Sequence, residues 1–208
     1  MVDLTRRWRA FVYDRAIVPM TAGWYAAVLE QLAPGSRLLD VGIGTAAALL
    51  ANTAPLRARD VHVVGVDIDA AYIERARRHI AALGLAERIE PRLESIYDHR
   101  GGPYDAAYFS ASFMLLPDPA GALRHVRTLL KPGAPVYFTQ TFEQQRAPGM
   151  EIIKPLLRLV TTIDFGRVTY REEFEQQLTA ARFAVEEWRQ LHAGKRRAAM
   201  LVVAAARG

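Results

Sequence analysis

The chain predicts an α/β fold: a seven-stranded, mostly parallel sheet with helices on both faces and an antiparallel hairpin at the C-terminal end. Two observations carry that prediction. Short apolar or β-branched runs alternate with helical stretches from residue 37 to 141, the order in which parallel strands and crossover helices follow one another. The last two strand-like runs are instead joined by Ala193-Gly194-Lys195, too short for a crossover, so they pair antiparallel. With 208 residues the chain suits one domain with its own core.

The elements follow in order. Leu4 to Leu32 reads as helical material interrupted near Pro19 and ending before Pro34-Gly35. Arg37 to Val41 is a short buried strand closed by Gly42-Ile43-Gly44, and Ala46 to Thr53 is the helix behind it. Val61 to Val66 is β-branched and runs into Asp67; a helix over Ala70 to Leu83 follows, with Gly84 as its C-terminal cap. Arg88 to Leu93 and Asp105 to Ser110 are the third and fourth strands. A helix over Pro119 to Leu130 stops at Lys131-Pro132-Gly133, and Val136 to Thr141 is the fifth strand. Residues 143–169 are less regular and read as a cap-like insertion. The tail is a helix over Arg171 to Ala181, then strands over Ala184 to Leu191 and Arg197 to Ala205. This divides the chain into an N-terminal helical segment, residues 1–33, and a main domain, residues 34–208.

Composition removes several function classes. There is no cysteine, hence no disulfide framework, thiolate nucleophile or cysteine-held metal. The five histidines lie seventeen or more residues apart, so no His-x-x-x-His metal helix exists and no metal is expected. The longest apolar run, Ala198 to Ala206, is far shorter than the ~20 residues of a membrane span. The N-terminus lacks the apolar core of a secretory signal, which predicts a cytoplasmic protein. The net charge of +5 invites an anionic partner. Yet only Lys131, Lys154 and Lys195 among the 27 basic residues are lysine, and the arginines are scattered. That distribution argues against nucleic acid.

The residues that carry chemistry cluster at the ends of the first two strands. Leu38-Leu39-Asp40-Val41-Gly42-Ile43-Gly44-Thr45-Ala46 sends a strand through a small-residue turn into a helix, crowding backbone N–H groups at the strand's carboxyl end. Asp67 follows 23 residues after Gly44, at the end of the next strand, where a carboxylate can accept both hydroxyls of a ribose. Together they point to a nucleoside cofactor. Ala47 stands at the third glycine position of a dinucleotide fingerprint, no Tyr-x-x-x-Lys pair is present and no P-loop occurs, all of which disfavour nicotinamide and nucleotide-triphosphate chemistry.

On these motifs the chain resembles the class I S-adenosylmethionine-dependent methyltransferases, over roughly Pro34 to Ala206 and with a Rossmann-like fold. Asp40-Val41-Gly42-Ile43-Gly44-Thr45 is similar to the family's first motif, which wraps the methionine end and the ribose; Ala46 stands where a third glycine is usual. Val64-Gly65-Val66-Asp67-Ile68 is similar to the second. The resemblance implies that Asp67 takes the ribose hydroxyls, that Ile68 lies against the adenine face and that Glu94 accepts from the adenine amino group. It also implies that a backbone N–H near Ser95 or Ile96 donates to the ring. Glutamate replaces the usual aspartate at Glu94. Ser110 to Pro119 resembles the loop that holds the methionine moiety, and Leu130-Lys131-Pro132-Gly133 the turn before the fifth strand.

The resemblance implies transfer of a methyl group from S-adenosylmethionine by in-line displacement, with S-adenosylhomocysteine as product. A weaker likeness to quinone and phospholipid methyltransferases implies a small, partly apolar acceptor or a lipid headgroup. Alternatives are an RNA or protein acceptor held by the basic surface, or a cofactor-binding subunit without catalysis. Candidate acceptor-side residues are Tyr13, Ser112, Phe113, Glu143 and, more loosely, His99. Each has a plainer reading: Tyr13 as helix packing, Ser112 and Phe113 as loop and core, Glu143 as a solvated helix start, His99 as a surface loop residue. The apolar side chains Leu4, Trp8, Phe11, Val12, Val18 and Met20 beside Arg6, Arg7, Arg9 and Arg15 read as a lid, a membrane-surface contact or a packing helix.

Overall fold

The computed structural model describes residues 18–143, 169–194 and 197–207. Most of the N-terminal stretch expected as a lid, Tyr13 included, and nearly all of the expected insertion lie outside these residues.

Helix α1 (Val18–Leu29) leads to strand β1 (Arg37–Val41), the short helices α2 (Ala47–Leu50) and α3 (Thr53–Ala58), and β2 (His62–Asp67). Helix α4 (Ala70–Ala82), β3 (Ile89–Leu93) and β4 (Ala106–Ser110) follow. A single 3₁₀ turn, Phe113–Leu115, precedes α5 (Pro119–Leu129) and β5 (Val136–Glu143). The described chain closes with α6 (Arg171–Ala180), β6 (Phe183–Ala193) and β7 (Arg197–Ala206). The seven strands form one sheet in the order β3-β2-β1-β4-β5-β7-β6. The first five pair parallel, and β7 lies antiparallel between β5 and β6.

Alternation along each strand divides the core into two layers. On one face Tyr25, Leu29, Leu49, Ile73 and Ile80 from α1, α2 and α4 bury Leu38, Val63 and Tyr108. On the other, Leu123 and Val126 of α5 and Phe174 and Leu178 of α6 bury Leu39, Val64, Phe109 and Phe138. Asp69 caps α4 by accepting the Ala71 and Tyr72 N–H groups, and Asp118 caps α5 by accepting from Gly121, with Pro119 in the first helical position.

Pro19 sits in the first turn of α1, where a missing N–H costs nothing, and the stretch expected as helical before it lies outside the described residues. One element differs from the sequence reading. The single helix expected over Ala46 to Thr53 is two short ones. Asn52 separates them, its Nδ2 donating to Ala48 O at 3.0 Å and to Ala22 O of α1 at 2.9 Å. That side chain spends its amide on tertiary structure, which local propensity does not reveal.

The strand order reverses between β1 and β4, one leading outward to β2 and β3 and the other to β5. In a parallel sheet such a reversal opens a crevice at the carboxyl ends of those strands. The Gly42-Ile43-Gly44 turn lies there, and its seating depends on the neighbouring strand. A Cβ on Gly65 of β2 would collide with the Ile43 side chain. Gly65→Ala is therefore expected to cost roughly 1–3 kcal/mol through overpacking. The double variant Gly65→Ala/Ile43→Ala should lose less than the sum of the two single losses in urea unfolding. Strict additivity would show that the small residue serves something other than Ile43.

Candidate functional site

β1 is an interior strand, flanked on both edges and covered on both faces, so its last residues are buried whatever their chemistry. Asp40 is one of them, at 0 % exposure. Tyr25 of α1 donates to its Oδ2 at 2.7 Å, and Oδ1 is buried with no hydrogen-bond partner among the described residues. Burial pushes the Asp40 carboxyl up to about 7, the Tyr25 hydrogen bond opposing the rise and the nearby Asp67 charge adding to it. Tyr25 is itself held edge-on against Tyr108, ring centroids 4.9 Å apart, and the Tyr108 hydroxyl meets Thr139 Oγ1 at 2.6 Å.

The next strand end supplies a second carboxylate. Asp67 Oδ2 accepts the Gly44 N–H at 2.9 Å and its Oδ1 accepts the Asp69 N–H at 2.9 Å. Desolvation raises its pKa, while these backbone donors pull the other way. The Gly44 N–H thus serves Asp67 as a partner, and Asp67 keeps lone pairs for a further pair of donors. Gly42 has φ +81°, and a Cβ there would sit 2.6 Å from Ser112 Cβ. Its smallness admits the loop that follows β4. Ala46 takes the left-handed conformation at φ 59°, the backbone that a third glycine would adopt without strain. Thr45 is buried, its carbonyl facing His79 Nδ1 at 3.3 Å.

Along the same edge Ile68 is 78 % exposed and Leu93 49 % exposed, two large apolar side chains held out at adjacent strand ends. Glu94 follows β3 and is partly exposed; Ser95 turns the chain, its hydroxyl accepting the Tyr97 N–H, and Ile96 is buried. Ser110 ends β4 half-buried and shares a hydrogen bond with Tyr108.

The acceptor-side candidates fare differently. Ser112 Oγ donates to the Val41 carbonyl, which ties the loop after β4 to β1. Phe113 is 1 % exposed and packs edge-on against Phe109, Phe138 and Phe174. It anchors the core, so the substrate wall expected of it is corrected to that role; Leu115 of the same turn is the exposed one. Glu143 is the last residue of β5 and no helix start. Its Oε1 lies 2.6 Å from Arg197 Nε, directly across the β5–β7 pair. His99 is no surface loop residue: it is fully buried, with Nδ1 2.7 Å from Glu94 Oε1 and Nε2 2.8 Å from the Tyr104 hydroxyl. Its burial was hidden in the sequence; the signal was Gly101-Gly102 beside Tyr104, a stretch with room for a ring to close on.

Fold and site together define an α/β protein that takes a nucleoside across a strand-order reversal, with a carboxylate at each of three adjacent strand ends. The chain matches the methyltransferase-domain family model over residues 39–136. It is 28 % identical over 183 residues to the ubiquinone biosynthesis O-methyltransferase of Acinetobacter baylyi, covering 85 % of this chain and 74 % of that one. Among solved structures, geranyl diphosphate methyltransferase in complex with S-adenosylmethionine superposes at TM-score 0.71 with 15 % identity, covering 89 % of this chain and 85 % of that one. The cyclase SpnF superposes at 0.68 with 17 % identity, covering 96 % and 80 %. The chain carries a methyltransferase domain over residues 39–136, and in sequence and fold it is similar to the class I S-adenosylmethionine-dependent methyltransferases.

The residues fit that family's cofactor. Asp40 presents an orphaned carboxylate oxygen where a cationic amine would satisfy it, and Asp67 has acceptor capacity for a ribose. The exposed side chains of Ile68 and Leu93 suit a flat heterocycle.

The unpaired Asp40 charge has a stability consequence. Its folded pKa of about 7 lies above the ordinary 3.8, so the folded state holds the proton more tightly and stability falls as pH rises across that window. Asp40→Asn keeps an acceptor for Tyr25 and carries no charge. Its melting temperature should exceed the parent's clearly at pH 8 and much less at pH 5, by thermal unfolding without ligand. An equal gain at both pH values would contradict the assignment.

Proposed function

We propose that the chain transfers the methyl group of S-adenosylmethionine to a small, partly apolar acceptor, a free organic molecule or a lipid headgroup. The observation that carries this reading is the pair of carboxylates at the ends of β1 and β2, one of them buried with an orphaned oxygen. The named activities of the relatives, on a ubiquinone precursor pathway and on geranyl diphosphate, support an acceptor of this kind. So does the ligand edge itself. Tyr25 sits beside Asp40, so α1 runs antiparallel to β1 and its first turn, with Met20 at 46 % exposure, extends past the sheet edge. Leu115 adds a second exposed apolar side chain after β4.

The cofactor supplies a sulfonium methyl that is already electrophilic, so the protein's task is orientation. Asp40 and the loop after β4 would hold the methionine end, Asp67 the ribose, and Ile68, Glu94 and the Ser95-Ile96 backbone the base. Holding an acceptor lone pair in line with the methyl can supply ~7–11 kcal/mol of the barrier. Of the acceptor-side candidates that could act as a base, Ser112, Glu143 and His99 each contact another protein group. Positioning is therefore the larger part of what the described residues contribute. Against an RNA acceptor, several exposed cations are spent on carboxylates: Arg92 on Glu90, Lys131 on Asp105, Arg171 on Glu175.

Calorimetric titration tests the cofactor side. S-adenosylhomocysteine should bind the parent protein, and Asp67→Ala should weaken it at least about a hundredfold, since two hydrogen bonds to a carboxylate are lost. Unchanged affinity would overturn the assignment, as would binding of NADH alone. The affinity should also depend on pH through Asp40. Below about 7 the protonated carboxyl must release its proton before pairing with the ligand's ammonium. The dissociation constant should then rise about tenfold for each pH unit below that value. A dissociation constant unchanged from pH 5 to 8 would place the amine elsewhere. Transfer of labelled methyl to a panel of phenols, amines and lipid headgroups tests the acceptor class. Binding without transfer across that panel would favour a non-catalytic subunit.

A further inference from the structure

His99 is a buried polar group with both ring nitrogens bonded, and orientation of the cofactor as described makes no use of it. Its ring has no exposure and two partners, Glu94 Oε1 at 2.7 Å and the Tyr104 hydroxyl at 2.8 Å. One arrangement of hydrogen bonds uses both ring nitrogens. Nδ1–H donates to the carboxylate, and Nε2 accepts the Tyr104 O–H. Tyr104 is itself fully buried, stacked on the imidazole with centroids 5.8 Å apart and planes inclined by 30°, under the Arg37 guanidinium.

The surroundings are shaped to keep this chain of bonds closed. A Cβ on Gly101 would lie 2.7 Å from the Tyr104 hydroxyl and 2.9 Å from His99 Nε2, so the bond between them exists because residue 101 is glycine. The His99 carbonyl is pinned in turn by His125 Nε2 of α5 at 2.8 Å and by Arg100 at 3.0 Å. At the other end Glu94 stays 28 % exposed, its N–H bonded to the Asp67 carbonyl at 3.1 Å. Both side-chain contacts of Glu94, His99 at 2.7 Å and Arg92 at 3.8 Å, fall on Oε1. Oε2 is thereby left to accept from outside the protein.

We infer that His99 is a positioning residue for the cofactor's base: it fixes the Glu94 carboxylate so that Oε2 meets an exocyclic amino group, and so makes the site selective for adenine over a 6-oxo purine. The inference rests on the reading that Glu94 faces the adenine. A carboxylate accepts from an amino group and is repelled by the carbonyl that replaces it on deamination. How sharply it discriminates depends on how little it can swing away. A Glu side chain has three rotatable bonds to the carboxylate, one more than the aspartate usual at this position in the family, and needs a tether that an aspartate does not. His99 is that tether, and Tyr104 holds the tether's far side.

The experiment compares S-adenosylhomocysteine with S-inosylhomocysteine by calorimetry on the parent protein and four variants. The parent should prefer the adenine ligand by about ten- to a hundredfold, the value of one hydrogen bond to a charged group. Glu94→Gln should abolish that preference. His99→Phe keeps ring volume but loses both nitrogens, and should reduce the preference at least about fivefold, because an untethered carboxylate gives up part of that same bond. His99→Asn, whose Nδ2 stands near the position of Nδ1, should restore most of it. Tyr104→Phe removes one oxygen and should give an intermediate loss; it carries the decision if His99→Phe does not fold. A purely structural histidine would lower the melting temperature and weaken both ligands alike, leaving the ratio unchanged, and that result overturns the inference. If the parent binds neither ligand, the cofactor assignment itself falls. If the parent binds both but Glu94→Gln leaves the ratio intact, the cofactor assignment stands and the base-reading role of Glu94 and His99 does not.

Discussion

A carboxylate with no cation beside it among the described residues sits at the carboxyl end of the interior strand β1, and much of the site is organised around the cost of keeping it there. Asp40 is buried because β1 is buried, and β1 is buried because a parallel sheet must be covered on both faces. Tyr25 relieves half of the problem with one hydrogen bond, and the other oxygen stays unsatisfied. A buried polar atom in that state costs roughly 1–3 kcal/mol, a cost that a ligand's amine would relieve under the function proposed above. Placing α1 antiparallel to β1, with Tyr25 opposite Asp40 and packed on Tyr108, follows from the same requirement.

The second carboxylate is handled in the opposite way. Asp67 lies at the mouth of the crevice and collects backbone donors from Gly44 and Asp69, so it is oriented before any ligand arrives. One acid thus keeps an orphaned oxygen and the other has a backbone donor on each oxygen, at neighbouring strand ends two positions apart in register. The pair explains why two small residues, Gly42 and Gly65, are needed within one turn of chain in space. Gly42 admits Ser112, Gly65 admits Ile43, and between them the turn is pressed flat against β2 and the loop after β4.

Much of this was legible in the sequence where the signal is local. The alternation of strands and helices, the Gly-x-Gly turn after Asp40, the spacing to Asp67 and the closing hairpin are all set by nearest neighbours and periodicity. What was not legible depends on partners far along the chain. Phe113 reads equally as a substrate wall or a core anchor until the rings of Phe138 and Phe174, from β5 and α6, are seen around it. Glu143 reads as a helix start until Arg197 appears opposite it across an antiparallel pair. His99, in a polar stretch between Asp98 and Arg100, has the sequence context of a surface loop; its burial is decided by Tyr104 and by α5. The insertion of β7 between β5 and β6 has no local signature either, since a hairpin can join a sheet by either of its strands.

The loops that carry the site are bonded to one another more than to their own elements. The Ala111 N–H donates to Thr139 within β5, and Ser112 Oγ reaches back to Val41 at the end of β1. Gly44 donates to Asp67 at the end of β2, the Asp67 carbonyl accepts from Glu94 after β3, and Glu94 closes on His99. Joined by short covalent runs, these hydrogen bonds link the segments that follow β1, β2, β3 and β4 and tie the last of them to β5. A loop so fastened has little freedom left to lose on binding, which removes part of the ordering cost that otherwise reduces affinity. It also meets the central demand of a displacement at a sulfonium methyl, where rate depends on how well two reactants are held in line. Under the proposed function, rigidity at the sheet edge would be the contribution these residues make, with the carboxylates and the histidine acting by being built into it.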